Sequence, residues 1–476
     1  MAARNKVIIL ESFKVVPSPG TITELSTPLT CSDMLWLGIT PIHRLTFYQL
    51  PVSRTSFLDT IIPGLKNSLS LALKHFPSPA GNLIIHSDST RPGIRYMDGD
   101  SVPFAVAESS FLDFEYLVGN QPRICSQFYP LVPELPKSIE SSGSKMFPLI
   151  SFQVTLFPGQ GFCIGITHNH VLGDGTSMYS FVKAWSMICK SGGNEAAISS
   201  ELHPIYDREM MKVHTSELDN IFWNDLRNTG FKENDMVATL AQLFREETDR
   251  VRTTFVISLE DIQKLKKHVS DRRSLKHLST FTVVCGYAWS CLIKSSNATM
   301  VNTIDEEEQQ YFIFMADCRG RTDPVIPPNY FGNCLAQFQM SATNKELSGD
   351  EGLVTATKLI GETIHQRLQY KGGVLKGIET FLADLEEVKD MSRLLIIAGS
   401  PRQNHYDMDF GWGKPRKVEI TSIDAMDSVS LSGTTRDDGG GIEIGFVLPQ
   451  EKMDVFVEIF REGLQAFSLS TNEDLL

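Results

Sequence analysis

HNHVLGDGTS, residues 168–177, is flanked by two runs of different period. Before it stands FCIGITH (162–168), apolar and rich in β-formers. After it SMYSFVKAWSMICK (177–190) carries Phe181, Trp185 and Ile188 at helical spacing. The stretch is therefore the end of a strand, a turn, and the start of a helix. PLISFQVTLF (148–157) is a second apolar run, joined to 162–168 by PGQG (158–161), which predicts a hairpin. Gly159, Gly161 and Gly165 lack the G-x-G-x-x-G spacing of a phosphate loop, and a turn accounts for them better. Further out, FLDTIIPGLKNSLSLALKHF (57–76) places Leu58, Ile61, Ile62, Leu65, Leu69 and Leu73 on one helical face, with a break expected at Pro63–Gly64.

The second half repeats the type of order found in the first. VRTTFVISLEDIQKLKKHV (251–269) predicts a strand, an N-cap at Ser258 and a helix. TVVCGYAWSCLI (282–293) reads as an apolar helix, and YFIFMADCRGR (311–321) as a strand ending in charge. The expectation is an α/β protein of two similar lobes, residues 1–190 and 251–476. The Gly-rich KSGGNEAAISSEL (190–202) opens a crossover linker over 191–250. The chain has 476 residues, is 42% hydrophobic and carries a formal net charge of −13. That charge, with no long basic run, argues against nucleic acid and anionic membranes as partners. No apolar stretch reaches the length of a membrane-spanning helix. Eight scattered cysteines without a C-x-x-C pair, and an opening apolar run of four residues, lead us to expect a cytosolic chain with reduced thiols.

Two residues apart on a strand, His168 and His170 face the same side. That suits a hydrogen-bonded core pair. It also suits a metal pair, with Asp174 as third ligand, although no further histidine follows before His203. A third reading makes His170 a general base at the strand end, in a turn shaped by Gly173, Asp174 and Gly175. No G-x-S-x-G elbow and no Walker loop are present, which argues against a covalent acyl-enzyme route.

His170-Val-Leu-Gly-Asp174-Gly175 resembles the H-x-x-x-D-G signature of the BAHD acyltransferases, plant enzymes that move acyl groups from coenzyme A thioesters to alcohols and amines. Asp409-Phe-Gly-Trp412-Gly413 resembles that family's D-F-G-W-G. Tyr330-Phe-Gly-Asn333-Cys334 resembles the Y-F-G-N-C element of its anthocyanin and phenolic glycoside branch. LSLALKHFPSPAGNL (69–83), Asp317-Cys-Arg319 and Gly399-Ser-Pro-Arg402 agree as well, so the likeness spans nearly the whole chain.

The resemblance implies a chloramphenicol-acetyltransferase-like fold, two lobes of mixed sheet flanked by helices with a solvent channel between them. It implies acyl-CoA as co-substrate, no bound cofactor, no metal, and a monomer. His170 would take the proton of a sugar hydroxyl as it attacks the thioester. Trp412 N–H would face the oxyanion, and Asp174 would brace the turn by pairing with Arg319. CoA would be gripped in the second half, with Lys264, Lys267, Thr280, Ser400 and Arg402 as expected contacts. The donor would be malonyl-CoA or a hydroxycinnamoyl-CoA, and the acceptor an anthocyanin, flavonoid or other phenolic glycoside. Two alternatives stand beside this. One is a metal-dependent hydrolase using His168, His170 and Asp174. The other is a catalytically silent CoA- or flavonoid-binding homologue.

Overall fold

In a computed structural model of the chain, the expected hairpin forms from Ile150–Phe157 and Gly161–His168, in register from Ile150 opposite His168 to Phe157 opposite Gly161. The structure describes residues 7–87, 90–141, 143–228, 249–275, 277–300, 304–369, 373–375, 388, 390–425, 428–434 and 441–473. Every residue of the two hairpin strands is buried. Such near-continuous apolar strands belong at the centre of a sheet covered on both faces. They do: the six-stranded sheet runs Ile8–Val15, Val102–Glu108, Ile150–Phe157, Gly161–His168, Ile42–Gln49, Lys417–Ile420.

Helices Ile62–His75 and Gly175–Lys190 bury Leu65, Leu69 and Leu73 of the first, and Phe181, Trp185 and Ile188 of the second. The Trp185 indole is locked between them, donating to Leu65 O at 3.2 Å and Ser68 Oγ at 3.1 Å. Pro63 does not break the first helix. Arg54–Ser56, a π-helical turn Phe57–Ile61 and Ile62–His75 run on without interruption, and the widened turn immediately before the proline lets the helix continue past it.

The second lobe has a seven-stranded mixed sheet that includes Gln309–Asp317, Arg250–Ser258 and Gly441–Pro449. Thr280–Thr299 is its central helix, almost wholly buried. Ser258 caps the helix Leu259–Arg272 by accepting from Asp261 N at 3.1 Å. A third sheet of five strands lies within the first 150 residues.

The lobes do not divide cleanly at 190 and 251. Lys417–Ile420 leaves the C-terminal half and pairs with Ile42–Gln49, while Arg123–Ile124 leaves the N-terminal half and pairs with Arg250–Ser258. Nor is 191–250 simply a crossover. Its helix Glu209–Asn228 packs Phe222 and Trp223 into the first lobe's core, and Asp219 accepts from Cys31 N at 2.7 Å. Residues 229–248 of that segment lie outside the described residues.

Candidate active site

The motif strand stops at His168, a short 3-10 turn carries His170–Leu172, and the helix starts at Gly175. Asp174 is the N-cap, accepting from Ser177 N at 3.1 Å. Its other oxygen accepts from Cys334 N at 3.0 Å, and Arg319 grips both, at 2.7 and 3.1 Å. Burial pushes this carboxyl up, but Arg319 and the two backbone donors outweigh it and hold it below its ordinary value. Arg319 also donates to the carbonyls of Tyr330 and Gly332. The pair therefore joins the motif turn to the YFGNC segment of the other lobe. Gly175 leaves room for Gln403: a Cβ on it would lie 2.7 Å from Gln403 Oε1, so that side chain would have to shift.

His170 is half-buried, its ring stacked on Trp36 with centroids 3.7 Å apart and planes at 10°. Nδ1 lies 3.1 Å from Asn333 Oδ1. The orientation of that amide is determined by its other end. Nδ2 donates at 3.0 Å to Asp33 Oδ1 and at 3.0 Å to the His170 carbonyl, both acceptors only. Oδ1 must then face the imidazole, so Nδ1 carries the hydrogen and Nε2 presents a lone pair. Asp33 is held in turn by Thr30 N and Oγ1 and by Arg208 Nε at 3.4 Å. Gly332 has φ +155°, and a Cβ there would meet Arg208 Nη1 at 2.5 Å, which accounts for the glycine of YFGNC. Burial lowers the His170 pKa, with Asp174, Asn333 and Asp33 pulling weakly the other way, so the ring is neutral at pH 7.

His168 does not join His170 at a common point. Their ring centroids are 6.4 Å apart, and Asp174 is turned away onto Arg319. The three side chains of the metal-hydrolase alternative thus do not converge. Among the described residues no group of three His, Cys, Asp or Glu is placed to hold a metal.

Trp412 is corrected by the geometry. It packs edge-on to Phe162, with centroids 5.3 Å apart, and to Tyr48, and is stacked with Phe410. Phe162 opens the strand that His168 closes, and six residues at ~3.3 Å each put ~20 Å between them. An oxyanion beside His170 is out of reach of this indole. DFGWG instead fastens the far end of the motif helix. Asp409 accepts from Gly411 N and Gly413 N and pairs with Lys190 at 2.6 Å, while Phe410 meets Trp185 at 4.8 Å.

The expected CoA contacts fall in two places. Lys264 pairs with Glu260 at 2.6 Å, Lys267 is exposed, and the lysine that reaches Thr280 is Lys266, donating to its hydroxyl at 3.0 Å. Ser400 and Arg402 sit on a loop tied to the motif helix by Gln403, whose amide donates to Thr176 Oγ1 at 3.0 Å. Sequence reasoning missed Trp36, Asp33, Arg208 and Gln403, and within KLKK (264–267) it singled out Lys264 and Lys267 rather than Lys266. For Asp33 there was a signal, since Thr30-Cys-Ser-Asp33 is a capping-box pattern and forms one.

A family model described as "Transferase family" matches residues 5–462. The chain belongs to the BAHD acyltransferase family. It is an acyltransferase of the class that uses acyl-CoA as co-substrate. It is 40% identical over 466 residues to a malonyl-coenzyme A:anthocyanin 3-O-glucoside-6''-O-malonyltransferase of Dahlia pinnata, covering 96% of this chain and 97% of that one. It is 41% identical over 427 residues to phenolic glucoside malonyltransferase 1 of Nicotiana tabacum, covering 89% and 91%. A coumaroyl-CoA:anthocyanidin 3-O-glucoside-6''-O-coumaroyltransferase of Arabidopsis thaliana is 34% identical, covering 97% and 98%. The crystal structure of vinorine synthase shares the fold, with TM-score 0.67, 18% identity and coverage of 94% and 96%. The F. sporotrichioides protein TRI101, solved with coenzyme A and T-2, does so with TM-score 0.61, 15% identity and coverage of 90% and 96%.

Proposed function

We propose that this BAHD acyltransferase moves a malonyl group from malonyl-CoA to a sugar hydroxyl of an anthocyanin or other phenolic glucoside, with His170 as the base. The relatives at 40 and 41% identity carry malonyltransferase names, and the coumaroyltransferase stands at 34%. The observation that carries the chemistry is the Asn333 amide, which leaves Nε2 of a neutral His170 free to accept a proton.

A sugar hydroxyl does not ionise at neutral pH, so its proton must leave as the oxygen attacks the thioester carbonyl. Nε2 takes that proton, and the charge that develops on the ring is spread through Asn333 to Asp33. When the tetrahedral intermediate collapses, the C–S bond breaks and the imidazolium returns the proton to the CoA sulfur. Asp174 takes no part in proton transfer, since both its oxygens are occupied.

The test is thiol release on mixing the protein with malonyl-CoA or p-coumaroyl-CoA and a panel of phenolic glucosides. We expect release with malonyl-CoA that depends on the glucoside. His170→Ala should abolish it while the far-ultraviolet circular dichroism is retained. No turnover with either donor would favour the silent homologue. Full turnover by His170→Ala would remove the base from the mechanism.

A further inference from the structure

Arg44 is a buried cation with no counter-charge. It sits on the strand Ile42–Gln49, 9% exposed, and among the described residues it makes no ion pair and no side-chain hydrogen bond. Its Nε is fully enclosed and unbonded. Other buried guanidinium groups among the described residues face a carboxylate, as Arg123 does Glu419, Arg252 does Asp424 and Arg319 does Asp174. An unpaired one is costly, and its retention calls for a role of its own.

Position says which ligand. Arg44 lies directly opposite Ile166 in the sheet, on the same face as His168 and diagonal to it, a separation that a long side chain spans. His168 is buried too, its Nδ1 is likewise without a partner, and its ring stands 6.4 Å from that of His170. His405 senses the same guanidinium. The neighbourhood holds imidazoles and one arginine, while Asp174, the motif's own carboxylate, is spent on Arg319. Arg44 stands on the strand next to the one that leads into His170, so an anion held by it would lie beside the motif turn.

We propose that Arg44 receives the free carboxylate of a dicarboxylic acyl donor, of which malonyl-CoA is the shortest common case. This rests on the malonyl reading above and adds the residue that selects for it. In malonyl-CoA one methylene separates the reacting carbonyl from the carboxylate, so its receptor must lie close to the base. A planar guanidinium matches that carboxylate in two parallel hydrogen bonds. A neutral acyl group in the same place leaves the cation buried and unpaired, which disfavours a hydroxycinnamoyl donor.

The experiment compares malonyl-CoA with acetyl-CoA, using the full chain and one glucoside acceptor. The readout is the ratio of their kcat/KM values. Arg44→Met should lower that ratio by about 100-fold, and Arg44→Lys, which keeps the charge and loses the fork, by about tenfold. Arg44→Gln repeats the test if the methionine variant is insoluble. The melting temperature of Arg44→Met should stay level or rise, because an uncompensated buried charge has gone. A ratio unchanged in all three variants overturns the proposal, as does a drop reproduced by Arg402→Met with Arg44 variants unaffected. A wild-type protein that uses p-coumaroyl-CoA and not malonyl-CoA defeats the donor reading itself, a different result from malonyl turnover that ignores Arg44.

Discussion

An amide, rather than a carboxylate, holds Nδ1 of the proposed base. A carboxylate there would stabilise the imidazolium and raise the pKa; Asn333 fixes the tautomer without supplying a charge. Asn333→Ala should therefore lower kcat on the order of 10–100-fold, with a much smaller change in KM, because substrate contacts remain and only ring orientation is lost. Steady-state kinetics check this, and an equal loss in both parameters would contradict it. The pH profile follows from the same ring. Burial depresses the folded pKa, so the neutral, active form persists below pH 6.5. The acid limb of kcat/KM should fall at a pH under 6.5, and a limb above 6.5 would mean that the ring is stabilised as a cation. At this scale H-x-x-x-D was legible in the sequence, because five positions of one turn announce themselves. Asn333, Asp33 and Trp36 were not, since each reaches His170 across more than a hundred residues or through stacking, and no local period records that. Asn333 was visible as one letter of YFGNC, without its task.

At the level of elements, the motif helix Gly175–Lys190 is clamped at both ends. Asp174 caps its start and pairs with Arg319 from the other lobe, while Asp409 of DFGWG pairs with Lys190 at its end. Asp174→Asn should leave the buried Arg319 guanidinium with only the half-exposed Asp317 as counter-charge, at a cost of ~3 kcal/mol, and lower the melting temperature along with activity. Arg319→Lys should not rescue it, because a single ammonium cannot reproduce the fork. Trp412 offers a sharper decision. If its N–H served an oxyanion, Trp412→Phe would cost about 100-fold in kcat. Packed on Phe162 and Tyr48, it should retain kcat within about threefold as Phe. Trp412→Ala should destabilise by ~1–3 kcal/mol through the lost contacts of this half-buried ring with Phe162, Tyr48 and Phe410. The hairpin, the motif helix and the Ser258 cap were all legible, since each is a run long enough to show its period. The sequence motif DFGWG was legible as a pattern and misread as chemistry, because a glycine-rich turn bearing an aromatic looks alike in either role.

For the molecule as a whole, the two lobes are joined by exchanged strands, and a buried charge cluster seals the exchange. The two-lobe pattern was readable from repeated strand–helix order. The exchange was not: KVEI is four residues and Arg123–Ile124 two, too short to carry a period. Glu419 on the incoming strand meets Arg123 at 2.7 Å and Arg252 at 3.4 Å, and Arg252 also holds Asp424 at 2.9 Å. Burial pushes Glu419 up, but Arg123, Arg252 and Lys417 outweigh it and hold it at about 2. Burial dominates at Asp424 and raises it to about 6 despite Arg252. The two carboxylates therefore have opposite linkage. Glu419, depressed from 4.5, contributes stability that is fully present above pH 4.5 and lost as pH falls toward 2. Asp424, raised from 3.8, favours the folded state when protonated and costs stability as pH rises through 6. Replacing Glu419 by Gln removes the first effect, together with the upward push of Glu419 on Asp424. Its urea midpoint should lie below that of the wild type at pH 5, with only a modest drift of the gap between pH 5 and 7 as Asp424 titrates. The gap should then shrink between pH 4.5 and 3, as the wild-type carboxylate loses its own charge. A gap that holds steady down to pH 3 would mean that Glu419 stabilises the strand exchange by shape and hydrogen bonding, and that the ionic seal between the lobes is not what keeps them together.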